Sequence, residues 1–414
     1  MTDSSAPFDV DLSRAGALGN QFVTELCQLR ELDPIHWSPA SRCWLVTRHA
    51  DVVAALGGQF PLSTKRLVNI GLGAIPEADR ARLFPTIMRY MPNWIIDTDP
   101  PVHTRLRKLL VRAFSKKVVE SVRPFVQERV RLLLDKLERQ PEIEFNEQIA
   151  RQLPGSVILK LIGLSQDHLP RLREWANALA EGVGVPFAEV AALKRVDQAM
   201  ADMNAVLVPE IELRRQAPRN DLVSELVHAV EDGESLSEEE MLGGLHVLIV
   251  AGHDTTSNTL TLGLEALSRH PDIWQYLYRH PDEALNISLE LMRYMAMSTS
   301  QPRIVAEDFD WHGRALKRGD LVFLMFAAAN RDPRAFPNPE AINVQRDLEP
   351  SLVFAPGLHH CIGHLLAKMQ VAEFFAALAQ RFSGAEILDE RLAFMPQVVF
   401  RGLYHLNVRV TARA

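Results

Sequence analysis

Phe354-Ala355-Pro356-Gly357-Leu358-His359-His360-Cys361-Ile362-Gly363 sets a single cysteine between two glycines, just ahead of an amphipathic stretch. Glycine lets a turn lie against a flat group with no Cβ in the way, and the helix that follows turns its positive end toward the sulfur. Both effects favour a thiolate. A thiolate ligand donates electron density to haem iron and promotes O–O cleavage, so the loop reads as a haem-thiolate site with Cys361 as axial ligand. Two plainer readings compete. A buried cysteine is often a small hydrophobe, and His359, His360 and Cys361 could begin a zinc site. Structural zinc needs four ligands, usually with paired spacings, and Cys27 and Cys43 lie more than three hundred positions away.

A second group interrupts the periodic run from Met241 to Arg269. Ala251-Gly252-His253-Asp254-Thr255-Thr256 puts a glycine and polar side chains where a core helix should be apolar. A kink of small residues leaves room for dioxygen, and an acid beside a hydroxyl can relay protons. The plainer reading is that Thr255 back-bonds to the Ala251 carbonyl while its neighbours face solvent. Glu290 and Arg293, three apart, could be an ordinary surface ion pair. His103 and Arg107, four apart, share a helix face and could meet carboxylates, for which arginine's planar fork is the best donor.

The pattern Phe-x-x-Gly-x-His-x-Cys-x-Gly, continued by Leu366-Ala367, resembles the signature of the cytochrome P450 family, and the Ala251–Thr256 hexad resembles that of the family's long central helix. The resemblance runs from Trp44-Leu45-Val46-Thr47-Arg48 to Arg401-Gly402-Leu403. It implies a mainly α fold with small β-sheets, a triangular helix-rich prism around a buried haem, built as a single domain over 1–414. It implies that Asp254 gates proton delivery and Thr255 steadies the oxygen being activated, with Ala251, Phe354, Gly357 and Gly363 bordering the cofactor. His103, Arg107, Arg303 and His359 match propionate-binding positions. Glu290 and Arg293, in Glu-x-x-Arg order, match a buried structural pair, with Arg346 as its basic partner. Substrate-contacting segments fall near 66–96, 180–187, 247–252, 296–301 and 394–399, and put Met91, Trp94, Val247, Val250, Met297 and Val398 at an apolar pocket. Three positions depart from the pattern: Ala355 and Lys368 replace a glycine and an arginine, and Ser351 stands where many relatives have histidine. Alanine at 355 is compatible with close approach if its φ is negative.

The expected activity is a monooxygenase carrying haem b, using O2 and electrons from NAD(P)H through a separate reductase, on a terpenoid, steroid, polyketide or fatty-acid-like substrate. A peroxide-driven enzyme of the same fold and a haem sensor or carrier are the alternatives. No Gly-x-Gly-x-x-Gly fingerprint marks a fused reductase, so a ferredoxin or flavodoxin type partner is expected. The run from Arg105 to Lys117 contains no acid and could dock an acidic carrier.

The elements that must position these groups are mostly helical. Apolar spacing at three and four predicts helices near 117–140, 144–163, 166–182, 187–214, 221–231, 236–268 and 363–382. Strands are expected at Cys43–Thr47 and near 303–306, 321–325 and 396–410. With 414 residues, 47% of them hydrophobic, the chain can bury a large core and a pocket. A formal charge of −7 argues against nucleic-acid binding. Three cysteines do not make a disulfide framework and suit a reducing cytoplasm. The polar start Met1-Thr2-Asp3-Ser4-Ser5-Ala6-Pro7 reads as neither signal peptide nor membrane anchor, and a monomer is expected.

Overall fold

The computed structural model describes residues 8–65, 71–73, 75–183 and 189–413, side chains at 181–183 apart. Two stretches of the expected pocket, 66–70 and 184–187, lie outside the described residues. The principal helices are α1 (Asn20–Leu32), α2 (His49–Leu56), α3 (Val102–Ala113), α4 (Arg123–Arg139), α5 (Gln152–Ile162), α6 (Leu169–Val183), α7 (Val190–Gln216), α8 (Glu238–Arg269), α9 (Ala284–Met295) and α10 (His364–Arg381). The strands are β1 (Ile35–Ser38), β2 (Cys43–Val46), β3 (Leu62–Ser63), β4 (Glu142–Glu144), β5 (Val230–Glu231), β6 (Glu234–Ser235), β7 (Gln301–Val305), β8 (Phe309–Trp311), β9 (Arg314–Leu316), β10 (Leu321–Leu324), β11 (Phe382–Ile387) and β12 (Asn407–Ala412).

Helix α8 organises the helical side. A capping box starts it: the Glu240 amide donates to Ser237 Oγ at 3.2 Å, and the Ser237 amide donates to Glu240 Oε2 at 2.9 Å. Glu238, Glu239 and Glu240 then sit on its positive end. From Thr256 to Leu267 every residue is buried, because α5, α6, α7, α9 and α10 all pack on it. A helix enclosed on all sides loses its polar stripe.

The larger sheet has the order β1-β2-β10-β7-β3. β2 runs antiparallel to β1, with Ile35 opposite Val46, and parallel to β10, with Leu45 opposite Phe323. Successive side chains point to opposite faces. Leu321 and Phe323 therefore join Leu45 and Leu26 in one apolar cluster, while Val322 and Leu324 join Val46 and Trp311 in another. Burial on both faces explains why β10 is a continuous apolar run rather than an alternating one. The smaller sheet, β11-β12-β4, closes beside the C-terminal end of α10.

Four expected elements differ, one being 117–140, which divides at Val122 into helices Lys116–Ser121 and Arg123–Arg139. The helix placed over 221–231 ends at Val227 and gives way to a β5–β6 hairpin. Asp232 and Gly233 take φ of 52° and 80°, the pair of left-handed residues that a tight hairpin turn demands and that Asp-Gly supplies. Within 396–410 only Asn407 onward is a strand, the rest contributing isolated bridges at Ser298–Phe400 and Phe394–Leu403. The run over 144–163 is divided, with a π-helical turn at Asn146–Ala150 preceding α5. No described helix is long and apolar enough to cross a membrane.

Candidate functional site

The cysteine loop is held from both ends. The Cys361 amide donates to the Phe354 carbonyl at 2.9 Å, and the His360 amide donates to Gly357 at 3.1 Å. Gly357 has φ 94°, and a Cβ there would stand 2.3 Å from the Leu56 carbonyl oxygen at the end of α2. Ala355 corrects one expectation: its φ is +51°, not negative, so alanine occupies a left-handed position that glycine fills more cheaply. Lys368 places its ammonium 5.2 Å from the Phe354 ring centroid. Burial pushes the Cys361 thiol above its ordinary value, opposed by the Gly363 amide, Arg107 and Lys368. The glycine amide and the nearby cations thus do not by themselves make a thiolate; a coordinated metal ion would, since it deprotonates a thiol outright.

Helix α3 closes over this loop. Arg107 Nη2 donates to the His360 carbonyl at 2.7 Å, and the His103 and His359 rings lie 4.2 Å apart. Burial, then the Arg107 charge, hold His103 below the usual imidazole range, with Asp99 opposing. Arg303 comes from β7, where Nη1 donates to Pro302 at 2.8 Å.

These residues fit a flat, metal-centred group with acidic edges. His103 is fully buried and neither ring nitrogen has a protein partner, which suits an external carboxylate. Nothing lies within 4 Å of where a Cβ would stand on Gly363, and Ala251 is exposed midway along α8, ahead of the buried run Thr256 to Leu267. For a zinc site, by contrast, no cluster of three or more candidate ligands exists among the described residues.

On α8, Thr255 Oγ1 donates to the Ala251 carbonyl, the back-bond open to it from the sequence. Its neighbours do not face solvent. His253 is fully buried and its Nδ1 lies 2.8 Å from Asp254 Oδ1, while Arg151 Nη2 approaches the same oxygen at 3.5 Å. Arg151 was not legible beforehand, since it comes from a segment a hundred residues upstream.

Glu290 and Arg293 on α9 are both fully buried, joined by Nε–Oε2 at 2.7 Å and Nη2–Oε1 at 2.9 Å. Arg346 Nε reaches Glu290 Oε1 at 2.9 Å. The two arginines also donate to the carbonyls of Asn330, Pro337, Asn338, Pro339 and Ala341. Asn330 was missed: its Oδ1 accepts the Leu352 amide at 2.9 Å, two residues before the cysteine loop. The network therefore runs from α9 to the residues preceding Phe354.

Met91, Trp94 and Met297 are buried in the main core, with Val247 and Val250 packed against it. Val398 instead packs in the sheet-side cluster with Ile304 and Phe323. A groove of about 460 Å³, lined by Asn20, Arg269, Asp389, Arg391 and Phe394 among others, belongs to α1 and the C-terminal hairpin rather than to the cysteine loop.

The basic run on α3 is not a free positive face. Arg105 pairs with Glu240 and, at 3.6 Å, with Glu234; Lys108 pairs with Asp232 at 3.1 Å and Arg112 with Glu231 at 2.8 Å. The acidic β5–β6 hairpin and the start of α8 neutralise it. Lys116 and Lys117, beyond the hairpin's reach, are exposed.

The fold is a helix-rich one that brings the cysteine loop and α3 together. The chain belongs to the cytochrome P450 family, whose profile matches residues 185–391. It is 31% identical over 396 residues to the polyketide biosynthesis cytochrome P450 PksS of Bacillus subtilis strain 168, covering 93% of this chain and 95% of the relative. The solved structure of that relative matches with a TM-score of 0.85, over 96% of this chain and 99% of the other. The steroid C26-monooxygenase of Mycolicibacterium smegmatis is 31% identical over 374 residues, 86% of this chain and 83% of that one. The structure of P450BioI with an acyl carrier protein bearing hexadec-9Z-enoic acid matches at TM-score 0.85 and 27% identity, over 96% and 99% of the two chains. The chain is thus a cytochrome P450 monooxygenase, an enzyme of haem and O2 that acts on small molecules.

Proposed function

We propose that Cys361 is the axial thiolate of a haem b. In this reading the enzyme inserts one atom of O2 into a mostly apolar substrate of polyketide, steroid, terpenoid or fatty-acyl type. Electrons pass from NAD(P)H through a separate reductase and a ferredoxin or flavodoxin type carrier, in the cytoplasm, to a single domain. The observation that carries this reading is the cysteine loop itself, closed by the Cys361–Phe354 bond and tied to α3 by Arg107.

When bound, the haem supplies O2 activation and oxygen transfer; the chain supplies everything around it. His103, Arg107, His359 and Arg303 hold the propionates, the orphaned His103 nitrogens being the strongest support. Phe354, Gly357 and Gly363 would border the haem at the cysteine loop, and Ala251 would keep α8 small beside it. Because the Thr255 proton is given to the Ala251 carbonyl, Thr255 Oγ1 acts as an acceptor for a donor in the pocket. Asp254 carries protons inward from the side where Arg151 approaches it. Glu290, Arg293 and Arg346 hold the loop's approach and touch no reacting atom.

Met91, Trp94, Val247, Val250 and Met297 support an apolar substrate, since such linings stabilise ligands by roughly 25 cal/mol per Å² buried. The names of the polyketide and steroid relatives point to bulky ligands, and the carrier-protein neighbour shows that a P450 of this fold can receive a tethered acyl chain. The deciding experiment is the spectrum of the reduced protein under carbon monoxide. Cys361→Ala should lose the red-shifted thiolate Soret band, whereas Cys27→Ala and Cys43→Ala keep it; a normal spectrum from Cys361→Ala would sink the proposal.

A further inference from the structure

His253 is the most deeply buried residue of the Ala251–Thr256 hexad. Its ring is fully buried. A Cβ on Gly155 of α5 would lie 2.6 Å from Leu169 Cδ1 and 3.3 Å from His253 Cδ2, so Leu169 and the ring share the space that glycine leaves. Neighbouring residues on a helix ordinarily point about 100° apart and do not meet. Here Asp254 nevertheless leans onto its neighbour, Oδ1 to Nδ1 at 2.8 Å. A carboxylate can only accept, so this contact needs a proton on Nδ1. Nε2 has no protein partner.

We infer that His253 is a positioning residue for Asp254, its Nδ1–H holding one carboxylate oxygen against the α5 side of α8. This rests on the reading of Asp254 as the proton-delivering acid. Arg151 is a weaker second donor at 3.5 Å, and it is drawn elsewhere: its guanidinium also meets Asn177, and Glu147 lies 3.7 Å from its Nε and is itself paired with Arg173. The charged and titratable groups facing Asp254 are thus His253 on its own helix and Arg151, backed by Glu147 and Arg173, from the elements packed against it. Of these only His253 is fully buried. The imidazole sets where the carboxylate rests between turnovers.

The test uses haem-loaded enzyme in the diamagnetic ferrous carbon-monoxide form. With 15N-histidine labelling, the signal absent from His253→Asn identifies His253, and it should show Nδ1 protonated and Nε2 bare. With 13C-carboxyl aspartate labelling near neutral pH, the Asp254 carboxyl signal should move away from its natural position in His253→Phe, because the donor to one of its oxygens is gone. His253→Asn, which keeps a donor where Nδ1 stands, should return it most of the way. An Nε2-protonated ring, or the same Asp254 carboxyl signal in all three proteins, overturns the inference. Should His253→Phe fail to fold, the tautomer still decides. Peroxide released per NADPH oxidised, with surrogate ferredoxin and reductase and no added substrate, separates the two ideas. If Asp254→Asn changes neither that yield nor its pH profile, the role of Asp254 falls; if Asp254→Asn changes them and His253→Phe does not, His253 is not its positioner.

Discussion

Within a single loop, two residues with positive φ make opposite demands. Gly357 needs its φ of 94° and also has no room for a methyl, the nearest atom being backbone oxygen of Leu56. Gly357→Ala should therefore lower stability by several kcal/mol through combined backbone strain and overpacking, and weaken haem retention in parallel. Ala355 pays only the left-handed cost, about 1–2 kcal/mol, of which a freer unfolded chain takes back about 0.4–1 kcal/mol if glycine is introduced. Ala355→Gly should leave the melting temperature unchanged or slightly raised. Thermal unfolding followed at the Soret band checks both, and a loss in Ala355→Gly as large as that in Gly357→Ala would refute the account. The cysteine and its flanking glycines were readable because loop chemistry is local. The sign of φ at Ala355 was not, since it is set by how the loop must clear α2.

Helices were legible wherever one face stays apolar for three turns, as in α4, α7 and α8, because burial against neighbours imposes that period. The strand β11 was hidden: it follows α10 without glycine or proline, and Phe382 is core in either conformation. Also hidden were contacts that need two distant elements, among them the one that anchors His246. That ring is fully buried on α8, its Nε2 2.7 Å from Asn204 Oδ1 of α7, with Tyr90 and Trp94 edge-on to it. Desolvation lowers its pKa to about 3. The folded state thus refuses a proton that the unfolded chain accepts below about 6.5. Stability from this site is intact above pH 6.5 and falls as pH drops toward 3, by up to about 1.4 kcal/mol per unit. His103 and His360, also lowered by burial, push the same way. The melting temperature should consequently decline less steeply from pH 6.5 to 4.5 in His246→Gln than in the natural protein, and parallel slopes would show that His246 is not the group responsible.

At the scale of the whole molecule, charge distribution decides how a reductant could approach. The sequence shows a basic run in an acidic protein, and nothing local reveals that its counterions sit more than a hundred residues onward on the β5–β6 hairpin. Folding brings Glu231, Asp232, Glu234 and Glu240 over Arg105, Lys108 and Arg112, and exposed pairs of this kind are worth about 0–1 kcal/mol each while cancelling the field of the stripe. Steering by long-range charge must then come from what lies outside the hairpin, where Lys116 and Lys117 remain exposed. Charge reversal separates the two regions. Lys116→Glu with Lys117→Glu should slow reduction by an acidic ferredoxin several-fold at low salt and flatten its ionic-strength dependence, because fields beyond about 8 Å are screened at physiological salt. Arg112→Glu faces Glu231 instead, so its expected effect is a small loss of stability at the hairpin with reduction kinetics close to the natural protein's. Stopped-flow reduction across a salt series reads both, and an Arg112→Glu defect equal to that of the double lysine reversal would return the docking face to α3.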